Sequence, residues 1–157
     1  MKKIEKIAIF GVGLIGGSFA LALRQAGVAG RIVGVGRSRE NLERALDLHI
    51  IDEIAKDTAS ALKETDLVLI AVPVAQTGKV MAQIQPHLGP DTVITDAGST
   101  KQDVLAVARA CLPEVLLARD VALALRLTPS GACQAIRRGD CGPYFRAGRK
   151  LAVLRES

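Results

Sequence analysis

Apolar residues in this chain gather into short unbroken runs, separated by glycine turns and by stretches in which they recur every three or four positions. The run Ile7-Ala8-Ile9-Phe10 predicts a strand buried on both faces. Residues 14–26 continue without proline as a helix whose inner face reads as Ile15, Phe19, Ala22, Leu23 and Ala26, with Gly27 placed to end it. Residues 31–35 form a second strand and Gly36-Arg37-Ser38 a turn. Ser38 then caps a helix with the stripe Leu42, Ala45, Leu46 and His49. After a polar stretch at 57–63, the run 66–72 is the clearest buried strand, stopped by Pro73, which cannot continue a ladder. Residues 74–85 read as a helix with Thr77, Val80, Met81 and Ile84 inward, and residues 86–90 as a turn. Residues 92–95 are a strand, and a last helix carries Val104, Leu105, Ala108 and Cys111.

Strands alternating with helices predict an α/β fold, a Rossmann-like doubly wound and mostly parallel sheet over residues 1–113. A chain of 157 residues suffices for one ordinary core. Nearly half of it is apolar and tryptophan is absent, so that core is built from Ala, Val, Leu and Ile. The net charge of +5 suggests a nucleic-acid or membrane partner until it is divided along the chain. Residues 1–113 hold 13 Lys and Arg against 12 Asp and Glu, whereas residues 114–157 hold 8 against 4. The basic excess thus belongs to the tail, which interleaves no aromatics with its cations, and nucleic acid is a poor fit. No apolar run approaches the ~20 residues of a spanning helix, and glycines interrupt the run after the charged N-terminus, which argues against an export signal. Cys111, Cys133 and Cys141 are odd in number and lack metal-like spacing, pointing to a reduced, cytoplasmic compartment.

The candidate chemistry begins at Gly11, Gly13 and Gly16, a G-x-G-x-x-G turn between strand and helix. Gly11 permits the tight exit, Gly13 lets a pyrophosphate approach the backbone, and Gly16 lets the helix sit close to the strand. The helix start at Leu14 and Ile15 presents amides and a positive dipole end to an anion. At the second strand's end, a site for NAD usually carries an acid for the ribose 2′-hydroxyl, whereas Arg meets a 2′-phosphate. Here the turn offers Arg37, Ser38 and Arg39 before Glu40, which favours NADP and leaves NAD open; the alternative is that both arginines are solvated residues at a helix start. The Val72-Pro73 corner lies where a ligand would border the sheet, and residues 96–101 bring a hydroxyl, a carboxylate and an ammonium to another strand end.

These segments together carry a resemblance. Gly11-Val12-Gly13-Leu14-Ile15-Gly16-Gly17-Ser18, Ile70-Ala71-Val72-Pro73-Val74 and Thr95-Asp96-Ala97-Gly98-Ser99-Thr100-Lys101 make residues 1–113 similar to the nucleotide-binding half of prephenate and arogenate dehydrogenases. The resemblance implies oxidative decarboxylation of prephenate or arogenate, with hydride passing to the nicotinamide and carbon dioxide leaving as the ring becomes aromatic. It also implies that Ser99 lies near the substrate's ring hydroxyl, that the glycine loop holds the pyrophosphate, and that Val72 and Pro73 line the cofactor cleft. Read from the residues alone, Ser99 serves equally as a helix cap ahead of Lys101.

The resemblance ends after Pro113. Enzymes of this kind continue with a strand, a histidine segment that accepts the hydroxyl proton, and a helical domain that completes the substrate site and the dimer. None is recognisable here. The only histidines are His49 and His87, and neither matches that position. In the tail, residues 115–127 read as a helix, followed by a Gly-, Arg-, Ala-, Cys- and Pro-containing stretch without period, of a composition that G+C-rich codons yield out of frame. A frame shift or truncation is therefore the expectation for 114–157, a divergent genuine tail its alternative, and the oligomeric state is left open. Two functions follow: an incomplete oxidoreductase domain, or a non-catalytic NADP-binding module. The 95–101 segment argues against another β-hydroxyacid-type dehydrogenase.

Overall fold

The computed structural model describes residues 4–112, 115–117 and 150–152. Its strands are β1 (Ile4–Phe10), β2 (Ala29–Val35), β3 (Glu53–Ile54), β4 (Leu67–Ile70), β5 (Val93–Asp96), β6 (Val115–Leu117) and β7 (Lys150–Ala152). They form one sheet in the order β3-β2-β1-β4-β5-β7-β6, and every pairing in it is parallel. The helices are α1 (Leu14–Gln25), α2 (Arg39–Asp47), α3 (Thr58–Leu62), α4 (Val74–Ile84) and α5 (Lys101–Cys111). The order reverses between β1 and β4, the switch point of a doubly wound sheet.

Apolar runs without polar alternation make strands covered on both sides, and the core divides accordingly. Ala8, Phe10, Val33, Val68, Ile70 and Ile94 point into one layer with α3, α4 and α5. Ile7, Ile9, Ile32 and Leu69 point into the other with Ala20 of α1 and Leu42 and Ala45 of α2. Side chains that alternate along one strand thus feed two cores, which is why residues 7–10 of β1 are all buried.

Polar groups tie the strand ends. The Asp66 carboxylate accepts the backbone N–H groups of Glu5 at 2.8 Å and Lys6 at 3.0 Å, fastening the start of β1 to β4. Lys6 Nζ donates to the carbonyls of Ser60 and Lys63 at the end of α3, at 3.0 and 2.8 Å, and burial pushes this amine below its usual range. Asp66→Ala leaves two amides without their acceptor and is expected to lower stability by about 2 kcal/mol, read as a shift of the urea midpoint at unchanged slope.

Several sequence expectations need correction. The buried face of α1 is Gly16, Gly17 and Ala20, while Ile15, Ala22 and Ala26 are exposed and only Phe19 and Leu23 are half-buried. At Gly16 the helix lies too close to β1 to admit any side chain, which turns its small residues, and not its large ones, toward the sheet. His49 lies beyond α2 with φ 54°, exposed, so it belongs to a left-handed turn and not to the helix stripe. The polar stretch at 57–63 contains α3, capped by Asp57, whose side chain accepts from Ser60 N at 2.7 Å while Ser60 Oγ accepts from Asp57 N at 3.3 Å. Residues 115–117 are a strand and not the start of a helix. Val115-Leu116-Leu117 suits a strand as well as one helical turn, and parallel pairing with β7 decides between them. The rest of that predicted helix, 118–127, lies outside the described residues, as do Cys133 and Cys141 and most of the tail.

Candidate functional site

The ends of β1, β2 and β4 are locked together before the chain leaves the sheet. Gly11 N–H donates to the Val35 carbonyl at 2.8 Å, and Ala71 N–H to the Phe10 carbonyl at 2.7 Å. Above these carboxyl ends lies a cleft of about 680 Å³. Its floor is Phe10, Val35 and Ala71, and its rim is the glycine turn, the Gly36-Arg37-Ser38 turn and the Val72-Pro73 corner.

Each glycine has a different task. Gly11 sits at φ 98°, where an L side chain is strained, and a Cβ there would come within 2.4 Å of the Ala71 carbonyl oxygen. At Gly16 a Cβ would lie 2.1 Å from the Gly11 carbonyl oxygen and 3.1 Å from Ile9 Cγ2, so only glycine lets α1 approach β1 this closely. A Cβ on Gly13 would meet nothing within 4 Å. That position is open where a ligand needs backbone access. Gly13 is also the N-cap of α1, with no side chain over the first turn. The first-turn amides have no acceptor within the helix, and the dipole's positive end joins them. Open space, uncapped amides and positive potential fit a diphosphate, so the residues present suit a dinucleotide.

The second rim combines a cap with a cation. Ser38 caps α2, its hydroxyl accepting from Asn41 N at 3.3 Å. Arg37 lines the cleft, and Arg39 does not: its Nε donates to Glu43 Oε1 at 2.7 Å one turn along the helix. The two arginines of the sequence reading are thereby separated. Glu40 is absent from the lining, and none of the lining residues is an acid.

Among the expected site residues, the cleft brings together Gly11, Gly13, Arg37, Ser38, Val72 and Pro73. Gly16 stands behind the turn as a packing residue. Leu14 and Ile15 are outside the lining and are 91% and 62% exposed, so any contribution they make is through their backbone. Ser99 is exposed on the loop after β5 and is also outside the lining. That loop is braced by Gly98 N–H donating to Asp96 Oδ1 at 2.8 Å. The N-cap of α5 is Thr100, so the capping role considered for Ser99 does not hold. His49 and His87 are both exposed and neither lines the cleft.

Sequence reading missed the wall formed by Gln76, Lys79 and Gln83. They recur at helical spacing on α4, beside the Thr77, Met81 and Ile84 face that enters the core. The signal was present as a polar stripe, but a polar stripe on a helix ordinarily faces water. Among the described residues no group of three His, Cys, Asp or Glu is placed to hold a metal, and no helix is long and apolar enough to cross a membrane.

Comparison with known proteins fits this geometry. Residues 19–118 match the family model described as prephenate dehydrogenase, nucleotide-binding domain. The chain is 43% identical over 111 residues to a prephenate dehydrogenase of Bacillus subtilis, covering 69% of this chain and 30% of that one. It is 35% identical over 117 residues to a cyclohexadienyl dehydrogenase of Zymomonas mobilis, covering 74% and 40%. The crystal structure of Aquifex aeolicus prephenate dehydrogenase in complex with hydroxyphenyl propionate and NAD+ superposes with a TM-score of 0.61 at 32% identity, over 67% of this chain and 38% of that one. The chain therefore spans between 30% and 40% of the length of these two curated relatives.

Proposed function

The chain belongs to the prephenate dehydrogenase family through its nucleotide-binding domain, and from that premise we propose that its cleft holds a nicotinamide dinucleotide and prefers NADP to NAD. The observation that carries this reading is the glycine turn: Gly13 leaves open space at the uncapped start of α1, above the switch point of the sheet. The structural relative that contains NAD+ supports the class of ligand. Preference for the 2′-phosphate is supported by Arg37 in a lining that has no carboxylate to accept a ribose hydroxyl.

In this reading the domain serves oxidative decarboxylation of a cyclohexadiene carboxylate, prephenate or arogenate. The nicotinamide, when bound, supplies the hydride acceptor. The chain's own part is to hold the diphosphate on α1, orient the ribose at Arg37 and Ser38, and border the ring at Val72 and Pro73. Ser99, on the adjacent strand's loop, is proposed to position the substrate's ring hydroxyl. A proton acceptor is still required, and neither histidine lies at the cleft. These residues acting alone are therefore a module that binds the dinucleotide without turning over substrate. A soluble, cytoplasmic setting accords with the free thiol of Cys111.

Titration of the protein with NADPH and NADH, followed by fluorescence, tests the reading. NADPH is expected to bind about tenfold more tightly, a difference of ~1.4 kcal/mol. Subsequent addition of prephenate or arogenate with NADP or NAD is expected to give no reduction. Absence of binding by either nucleotide refutes the cleft, and turnover of either substrate refutes the argument about the missing base.

A further inference from the structure

We propose that Lys79 of α4 is a second determinant of cofactor specificity, acting with Arg37 on the 2′-phosphate of the dinucleotide; the inference rests on the cleft being a dinucleotide site. Arg37 and Lys79 are the two cations of the lining, and they reach it from different elements, the β2–α2 turn and the middle of α4. The ion pairs formed among the described residues are Arg24–Asp52, Arg31–Glu53 and Arg39–Glu43, so neither Arg37 nor Lys79 is spent on a carboxylate of the chain itself. Every other described cation near the second strand has an acidic partner or lies outside the lining. Two cations without an ion-pair partner, in a lining that holds no acid, create a positive potential that a dinucleotide with only its diphosphate, already bound at α1, does not need there.

A terminal phosphate dianion does need it. Arg37 offers a planar fork of donors, and Lys79 a compact charge on a long flexible stem that can close on the phosphate from the helix side. Gln76 and Gln83 flank Lys79 one turn away on the same face of α4 and are uncharged, so they neither compete for the ammonium nor repel the phosphate. Lys79 is exposed, and α4 enters the core through Thr77, Met81 and Ile84 with Val80 packed beside them, so replacing Lys79 leaves packing intact.

The test is Lys79→Gln, titrated with NADPH and with NADH beside the wild type and Arg37→Gln, with thermal melts to verify the fold. Lys79→Gln is expected to weaken NADPH about tenfold and leave NADH within about twofold, and the double variant to bind both nucleotides about equally. The NADPH affinity of Lys79→Gln is also expected to fall less steeply with salt than that of the wild type. An unchanged NADPH affinity, or an equal loss for both nucleotides, overturns the role of Lys79 while leaving the cleft in place. Failure of the wild type to bind either nucleotide overturns the cleft and this inference together.

Discussion

Gly16→Ala is expected to destabilise the protein by about 3 kcal/mol and to remove nucleotide binding with the loss of structure. The new methyl would sit 2.1 Å from the Gly11 carbonyl oxygen and 3.1 Å from Ile9 Cγ2. The first of these is backbone at the strained exit of β1, held in turn by the Gly11 N–H bond to Val35, and it has no rotamer by which to yield. Either α1 moves away from the sheet, taking Ala20 out of the layer it shares with Ile7 and Ile9, or the turn itself opens. Urea denaturation measures the loss directly. A midpoint close to that of the wild type would mean that α1 is not clamped against β1 as described.

Gly13→Asp is expected to have the opposite signature: a fold as stable as the wild type, and dinucleotide affinity reduced about a hundredfold. Gly13 has extended backbone angles that any residue adopts, φ −99° and ψ −157°, and a Cβ there meets no atom. It is the N-cap of α1, where an aspartate carboxylate favourably accepts a first-turn amide and complements the dipole. That same carboxylate would occupy the anion site with negative charge and repel a diphosphate. Thermal melts paired with NADPH titration separate the two effects. Retained affinity in a folded Gly13→Asp protein would show that the diphosphate does not rest on α1. Together the two substitutions distinguish a glycine required by packing from one required by the ligand, although both belong to a single G-x-G-x-x-G spacing.

Much of this was legible in the residues. The run at 7–10 lies in β1 and the run at 66–72 contains β4, which ends at Ile70, three residues ahead of Pro73, and Ser38 caps α2 as its hydroxyl predicted. The inward positions of α4 and α5 followed from helical spacing. The misreadings have two physical causes. The inner face of α1 was sought among its large apolar residues, whereas a helix pressed onto a strand buries its smallest ones. Strands β3, β6 and β7, two or three residues each, are too short to show a period and exist by pairing with a neighbour.

The alternation of buried strands and amphipathic helices, the G-x-G-x-x-G turn between the first strand and helix, and the family are readable from the letters alone, because each depends on residue types at fixed local spacings. Which cations line the cleft depends instead on how distant elements pack. Arg37, Arg39 and Lys79 are all plausible phosphate ligands as letters. Arg39 turns to Glu43 on its own helix, while Lys79, some forty residues beyond Arg37, meets it at a common cavity because parallel pairing stacks the ends of β1, β2 and β4 side by side.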